Sequence, residues 1–253
     1  MPEGDTVHSL AGRINLLLGG REMGIADAPN PRSPLHQRAP ELEGRTLELA
    51  EALGKHMLIH FSGALVLHSH LGMNGRWWIA ADGEWPRARP WLRLASGPAL
   101  AVQTGGRLLR LSSEVRARND PTLRALGPDP LRAGFDLEAA ARRLRSLGAD
   151  RELGEALLDQ RILAGIGNAI RNEACFAARI DPWRRVVDLS AVEIEGVVRE
   201  AERIMQVSLS DGQRPRGVHR ADRRGCPACG GPVSARGQGD ANRTAFWCPR
   251  CQR

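Results

Sequence analysis

No tyrosine occurs in the 253-residue chain, and Lys55 is the only lysine among 36 basic residues. Nor does any apolar run approach the ~18 residues a membrane-crossing helix requires, which excludes such a span. No charged-then-apolar leader opens the sequence, so a disulfide framework of the secreted kind is not expected and a reducing cytosol is. There is no low-complexity tract and no internal repeat. Cysteine is scarce, five in all, and four of the five fall in the last 28 residues. The fifth, Cys175, stands beside Phe176 in a helical apolar pattern and reads as a small core residue rather than a nucleophile.

The four clustered cysteines form two C-x2-C pairs, Cys226-Pro-Ala-Cys229 and Cys248-Pro-Arg-Cys251, with 18 residues between them. Two tight turns at this spacing can close a thiolate tetrahedron around one Zn²⁺ per chain, and four thiolates leave no position for a reactive water. The expected role is therefore structural. Two disulfides or a redox C-x-x-C site are the competing readings, but no βαβ pattern surrounds either pair.

Charge is as unevenly placed as cysteine. From Arg214 to Arg253 there are nine arginines against two acids, a net +7, which equals the charge of the whole chain. Basicity confined to a small metal-stapled module suits a nucleic-acid backbone, where each neutralised phosphate releases counterions. A solvated arginine tail is the plainer alternative, and Gly, Asn and aromatic residues interleaved with the charge argue against it.

Asp5-Thr6 is expected to cap a helix whose stripe is Val7, Leu10, Ile14 and Leu17 or Leu18, ending at Gly19-Gly20. Short strand-like segments follow at 45–53, 57–61, 65–70, 76–80, 91–94, 100–103 and 108–111, with Gly, Pro and charged turns between them. That spacing predicts an antiparallel sandwich or barrel. Beyond Leu126-Gly127-Pro128-Asp129-Pro130, helical periodicity takes over at 137–147, 152–158, 169–177 and 191–209. The expected class is α+β: residues 1–126 an N-terminal β-sandwich with a flanking helix, 127–132 a hinge, 133–210 helical, and 211–253 a cysteine hairpin. In Leu163-Ala164-Gly165-Ile166-Gly167-Asn168, glycines leave backbone amides able to approach a phosphate.

Several strings occur together in order: Pro2-Glu3-Gly4-Asp5-Thr6, Gly54-Lys55-His56, Ser69-His70-Leu71-Gly72-Met73, Leu157-Leu158-Asp159-Gln160, Gly165-Ile166-Gly167-Asn168 and Phe246-Trp247-Cys248-Pro249-Arg250-Cys251-Gln252. Across residues 2–252 they resemble the formamidopyrimidine-DNA glycosylase and endonuclease VIII family, with endonuclease VIII the nearer pattern. The resemblance implies an N-terminal β-sandwich, a helix-two-turn-helix segment and a zinc finger. It implies a monomeric bifunctional DNA glycosylase and abasic-site lyase of base excision repair. That enzyme works on damaged duplex DNA in the bacterial cytoplasm, at the nucleoid, and cleaves by β,δ-elimination.

The residues bear chemistry that fits. Once Met1 is removed, Pro2 presents a secondary α-amine, and α-amino groups have a pKa near ~7.7 to 8, against ~10.4 for lysine. Its attack on a sugar C1′ gives an iminium directly, which acidifies the C2′ hydrogen and leads from base release to strand cleavage. The resemblance makes Pro2 the Schiff-base nucleophile, Glu3 its acid–base neighbour, and Lys55 a contact to the sugar phosphate that assists elimination. Pro-Glu-Gly is otherwise an ordinary helix start, and Lys55 otherwise a chance survivor. Yet a lysine offers a titratable ammonium that the surrounding arginines lack.

An extruded base leaves a hole in the duplex. Met73 holds the family's void-filling position, with Leu71 a second candidate that alternately reads as strand core. Asn74 departs from endonuclease VIII, where an aromatic stands. Asn168 and Arg243 carry over as phosphate contacts, with a helix cap and a surface charge as their plain alternatives. Arg171 and Glu173 match the endonuclease VIII-like segment, as contacts or as packing. His56, His60, His68 and His70 invite a metal-nuclease reading, but no carboxylate triad accompanies them. Relatives acting on 8-oxoguanine carry a longer loop than 208–225 and a tyrosine after the Gly-Asn pair, where this chain has Ile170. Both departures favour oxidised pyrimidines and abasic sites. An 8-oxoguanine or formamidopyrimidine glycosylase, and a non-catalytic zinc-finger DNA binder, are the alternatives.

Overall fold

The structure, a computed structural model, describes residues 2–85 and 89–253. These divide into two compact units, one of Pro2 and Thr6–Ala125, the other of Glu3–Asp5 with Leu126–Arg253.

The first unit holds most of helix α1 (Gly4–Leu18), followed by β1 (Ile25–Asp27), β2 (Leu47–Leu53), β3 (His56–Phe61), β4 (Leu65–His70), β5 (Arg76–Ala80), β6 (Leu92–Ser96), β7 (Ala99–Thr104) and β8 (Leu108–Ser113). Two short helices close it, α2 (Glu114–Arg118) and α3 (Pro121–Arg124). The strands form two antiparallel four-stranded sheets, in the orders β1-β6-β7-β5 and β2-β3-β4-β8. Alternate residues of both sheets share one core with Val7, Ile14 and Leu18 of α1. This is the expected sandwich with its flanking helix, and Leu18 rather than Leu17 completes the buried stripe. At the edge strand β2, the Asn15 amide imitates a neighbouring strand: Nδ2 donates to Ala50 O at 2.7 Å and Oδ1 accepts from Ala50 N at 2.6 Å. The edge is thereby satisfied at Ala50.

In the second unit come α4 (Leu137–Gly148), α5 (Leu153–Ala156), α6 (Asn168–Ala177), α7 (Ala191–Asp211), β9 (Ser234–Gln238) and β10 (Arg243–Trp247). Asp136 caps α4, a Ser190/Glu193 capping box opens α7, and Gly212 at φ 71° ends it. Leu144, Leu163, Ile170, Val197 and Met205 lie in one core. The helix expected over 152–158 is a single turn: beyond it Leu158 N and Asp159 N bond three residues back, to Glu155 O and Ala156 O, instead of four. Residues 127–132 are tied to this unit: Gly127 N donates to Gln160 O, Ala164 N donates to Pro128 O, and Asp129 is buried. The two units therefore divide between Ala125 and Leu126, ahead of the expected hinge. Among the described residues no helix is long and apolar enough to cross a membrane.

Candidate active site and nucleic-acid interface

Helix α6 begins at a residue that cannot cap it. Gly167 stands at the N-cap with extended backbone and no side chain, so the first-turn amides need another acceptor. Glu3 supplies it from the far end of the sequence: Oε1 accepts from Ala169 N at 2.9 Å and Oε2 from Ile170 N at 3.1 Å. The carboxylate is thus held at the positive end of a helix and is 2% exposed. Glycine is required here, since a Cβ on Gly167 would lie 2.3 Å from Glu3 Cδ. A Cβ on Gly4 would likewise lie 2.7 Å from Gly165 Cα, and Gly4 N donates to Gly165 O at 2.9 Å. The amides expected to approach a phosphate at this loop are in part taken by the protein's own carboxylate. Asp5, expected to cap α1, falls inside a helix that opens at Gly4, and its carboxylate is gripped by Arg214.

Asn168, the first residue of α6, donates Nδ2 to Thr244 O at 3.0 Å, which ties it to β10 next to Arg243. Between them runs Arg171, fully buried: Nη1 donates to Gln238 Oε1 and Nη2 to Asn168 Oδ1, each at 2.5 Å, and Nη2 also reaches Thr244 O at 3.1 Å. Burial pushes its guanidinium down to about 10. Glu173 is buried as well and accepts from His219 N at 2.9 Å; burial holds its carboxyl above the ordinary range. Arg171 and Glu173 are therefore anchors that lock the hairpin and the 212–225 segment to α6. Asn172 does similar work, donating to His219 Nδ1 at 3.0 Å and accepting from Phe246 N at 3.1 Å.

The hairpin ends in two reverse turns, Gly230 N to Cys226 O and Cys251 N to Cys248 O. They bring the four cysteine sulfurs within 4.8 Å of one another, and Cys226–Cys251 and Cys229–Cys248 are 3.8 and 3.6 Å apart. A tetrahedron with bonds of about 2.3 Å has edges near 3.8 Å, so this sulfur set matches a four-thiolate metal site. Among the described residues it is the one such group of three or more His, Cys, Asp or Glu ligands.

Pro2, Lys55, Leu71 and Met73 belong to the first unit. Lys55 occupies the two-residue turn between β2 and β3, where Gly54 at φ 58° accommodates the reversal. Beside it, antiparallel register puts His56 opposite His70, one step from His68. His56 Nδ1 lies 2.8 Å from His68 Nε2. Burial, then the neighbouring His70 and His68, lowers His56 to about 3. Burial and then Arg110 lower His68 to about 4, and burial, Arg107 and Lys55 lower His70. His60 lies apart, between Glu51 and Glu114. In the 71–75 turn that carries the chain between sheets, Met73 is 66% exposed. Leu71 is 4% exposed and packed in the sandwich core, so its candidacy as a DNA wedge is corrected: the strand-core alternative is the one observed.

Thus Glu3, Asn168, Arg243 and the cysteines lie within one unit. Sequence reasoning missed Gly167's steric role, Gln238, which accepts from Arg171 and donates to Glu152 and Pro182 O, and, above all, Arg214. Nothing local could have revealed them, since each acts on residues far away in the chain.

A mixed α+β protein with a helical unit carrying a four-cysteine hairpin is the class these features define. The formamidopyrimidine-DNA glycosylase N-terminal domain matches residues 1–110, and the formamidopyrimidine-DNA glycosylase H2TH domain matches residues 126–217. A probable endonuclease 8 2 of Streptomyces coelicolor is 37% identical, covering 100% of this chain and 94% of its own. Endonuclease 8 2 of Mycobacterium tuberculosis is 36% identical over 100% of both chains, and a formamidopyrimidine-DNA glycosylase of Moorella thermoacetica 34% over 83% and 82%. The Lactococcus lactis Fpg in complex with DNA containing an abasic site superposes with a TM-score of 0.84 at 22% identity, over 99% of each chain. MutM (Fpg) of Thermus thermophilus gives 0.81 at 27%, over 99% and 98%. The chain belongs to the formamidopyrimidine-DNA glycosylase and endonuclease VIII family, whose members are DNA glycosylases with abasic-site lyase activity.

Proposed function

We propose that the chain excises oxidised pyrimidines from duplex DNA in the bacterial cytoplasm and then cleaves the abasic site, with Pro2 as nucleophile. The observation that carries this reading is the carboxylate of Glu3. It is covalently next to Pro2, buried, and pinned on the first turn of α6 by two amides. A carboxylate so fixed can pass a proton to and from a sugar held at the Pro2 amine. The neutral amine forms a bond to C1′ as the base departs with the glycosidic electron pair and takes up a proton. The amine nitrogen then gives up its proton and its lone pair expels O4′, which takes up a proton as the ring opens and leaves an iminium; this acidifies C2′–H, loss of that proton expels the 3′ phosphate, and loss of a C4′ proton expels the 5′ phosphate.

Lys55 sits in a turn whose neighbouring histidines are held neutral, so its ammonium faces no competing imidazolium when it meets the sugar phosphate. Met73, the exposed tip of its turn, fills the space left in the duplex. Asn168 and Arg243, joined through β10, contact phosphate. Cys226, Cys229, Cys248 and Cys251 hold zinc, whose chemistry there is structural: all four positions are thiolates, and the ion fixes the hairpin that presents Arg243. Residues 1–126, 133–210 and 211–253 act as catalytic, helical and finger modules.

Borohydride trapping on abasic duplex DNA tests the lyase. Processed protein gives a covalent adduct that Pro2→Gly and Met1-retaining protein lack; an equal adduct from either would refute the assignment of Pro2. Substrate choice is tested by rates on thymine glycol, 5-hydroxycytosine and 8-oxoguanine opposite cytosine. Faster release of 8-oxoguanine would replace the pyrimidine reading with the 8-oxoguanine one.

A further inference from the structure

One largely buried cation has no part in the chemistry above. Arg214, two residues beyond the glycine that ends α7, donates Nε to Asp5 Oδ2 and Nη2 to Asp5 Oδ1, both at 2.5 Å. Its Nη1 lies 3.5 Å from Glu3 Oε2. The side chains of Asp5 and Glu3 are 1% and 3% exposed and that of Arg214 is 22% exposed. Two carboxylates two residues apart at the start of α1 are thus buried against one guanidinium. A buried carboxylate requires a partner, and this guanidinium serves both. The paired bonds to Asp5 fix the plane of the guanidinium, so its third nitrogen has a set position beside Oε2, which a lysine could not reproduce.

We propose that Arg214 is a positioning residue for Glu3, with Asp5 as the clamp that aims it. Oε1 accepts from the Ala169 amide, whereas Oε2 has both the Ile170 amide and Arg214 on it. Arg214 therefore makes the two oxygens unequal and keeps the carboxylate from turning. The inference rests on Glu3 acting as the acid–base group.

The test is single-turnover base release from the lesion duplex that wild-type protein processes fastest, together with the Kd for a duplex carrying a stable abasic analogue. Arg214→Ala is expected to lower the rate by about 10- to 100-fold, the scale of a misplaced catalytic group, with Kd changed less than about threefold. Millimolar guanidinium should restore part of the rate where equal sodium chloride does not. Asp5→Asn should also slow release, and the double variant should be no slower than Arg214→Ala, as for residues that act as one unit. A wild-type rate in Arg214→Ala overturns the proposal. So does a loss that appears in Kd, which would make Arg214 a DNA contact, or one that tracks loss of the thermal unfolding transition and is unmoved by guanidinium. Wild-type protein that forms no borohydride adduct and releases no base overturns the reading of Glu3 itself, a result distinct from these.

Discussion

Glu3 is held where Gly167 has no side chain, and that single absence is testable. In Gly167→Ala the added Cβ would lie 2.3 to 2.4 Å from Cδ and Cγ of Glu3, so the carboxylate must leave the Ala169 and Ile170 amides. The backbone at Gly167, φ −117° and ψ −169°, suits alanine, so the cost falls on the Glu3 side chain and not on the main chain. Base release is expected to fall by about 100-fold in single-turnover kinetics while the melting temperature moves by a few degrees. At this scale the sequence displays what is local: a proline behind methionine, an adjacent acid, a lone lysine. It was silent where a residue acts across the fold. Gly167 reads as loop, and Arg214 as one more charge in a basic segment, because their partners at Glu3 and Asp5 are remote in sequence.

Strands β4 and β5 occupy the segments expected from alternation, 65–70 and 76–80, because glycine turns bound both. Three-residue β1 and the short helices α2 and α3 were not anticipated, since segments of three to five residues carry too little periodicity. The register of β3 and β4 has a measurable consequence. His56 at about 3 and His68 at about 4 lie below the unfolded value of about 6.5, so the unfolded chain binds their protons first. The contribution of these two histidines is therefore whole above about pH 6.5 and is lost as pH drops from there toward 4, by up to about 1.4 kcal/mol per pH unit for each. Urea midpoints at pH 7 and pH 5 should show this decline, and His68→Gln should lessen it by about one proton's worth. Identical slopes for the two proteins would refute it.

For the whole molecule, a net +7 concentrated in residues 214–253 pointed to nucleic acid, yet not all nine arginines serve that end. Arg214 faces two buried acids, and Arg236 stacks 4.7 Å over Trp183. Composition reports how much charge a segment carries, not what each charge meets. Chelation should separate the two ends of the mechanism. One equivalent of zinc is expected by atomic absorption, and its removal should weaken duplex binding more than tenfold while a borohydride adduct still forms at low salt. Complete loss of the adduct on a minimal abasic substrate would show the amine to depend on the metal. The grouping of Glu3–Asp5 with Leu126–Arg253 also bears on biosynthesis. These three residues find their partners in segments translated after Leu126, and Asp5 waits for Arg214, 209 residues later. At translation speeds of about 5–20 residues per second that delay is on the order of ten seconds or more. The carboxylate of Glu3, proposed above as the proton carrier, accordingly has its full set of partners only after residue 214 has emerged, so synthesis of the C-terminal unit precedes completion of the proposed site.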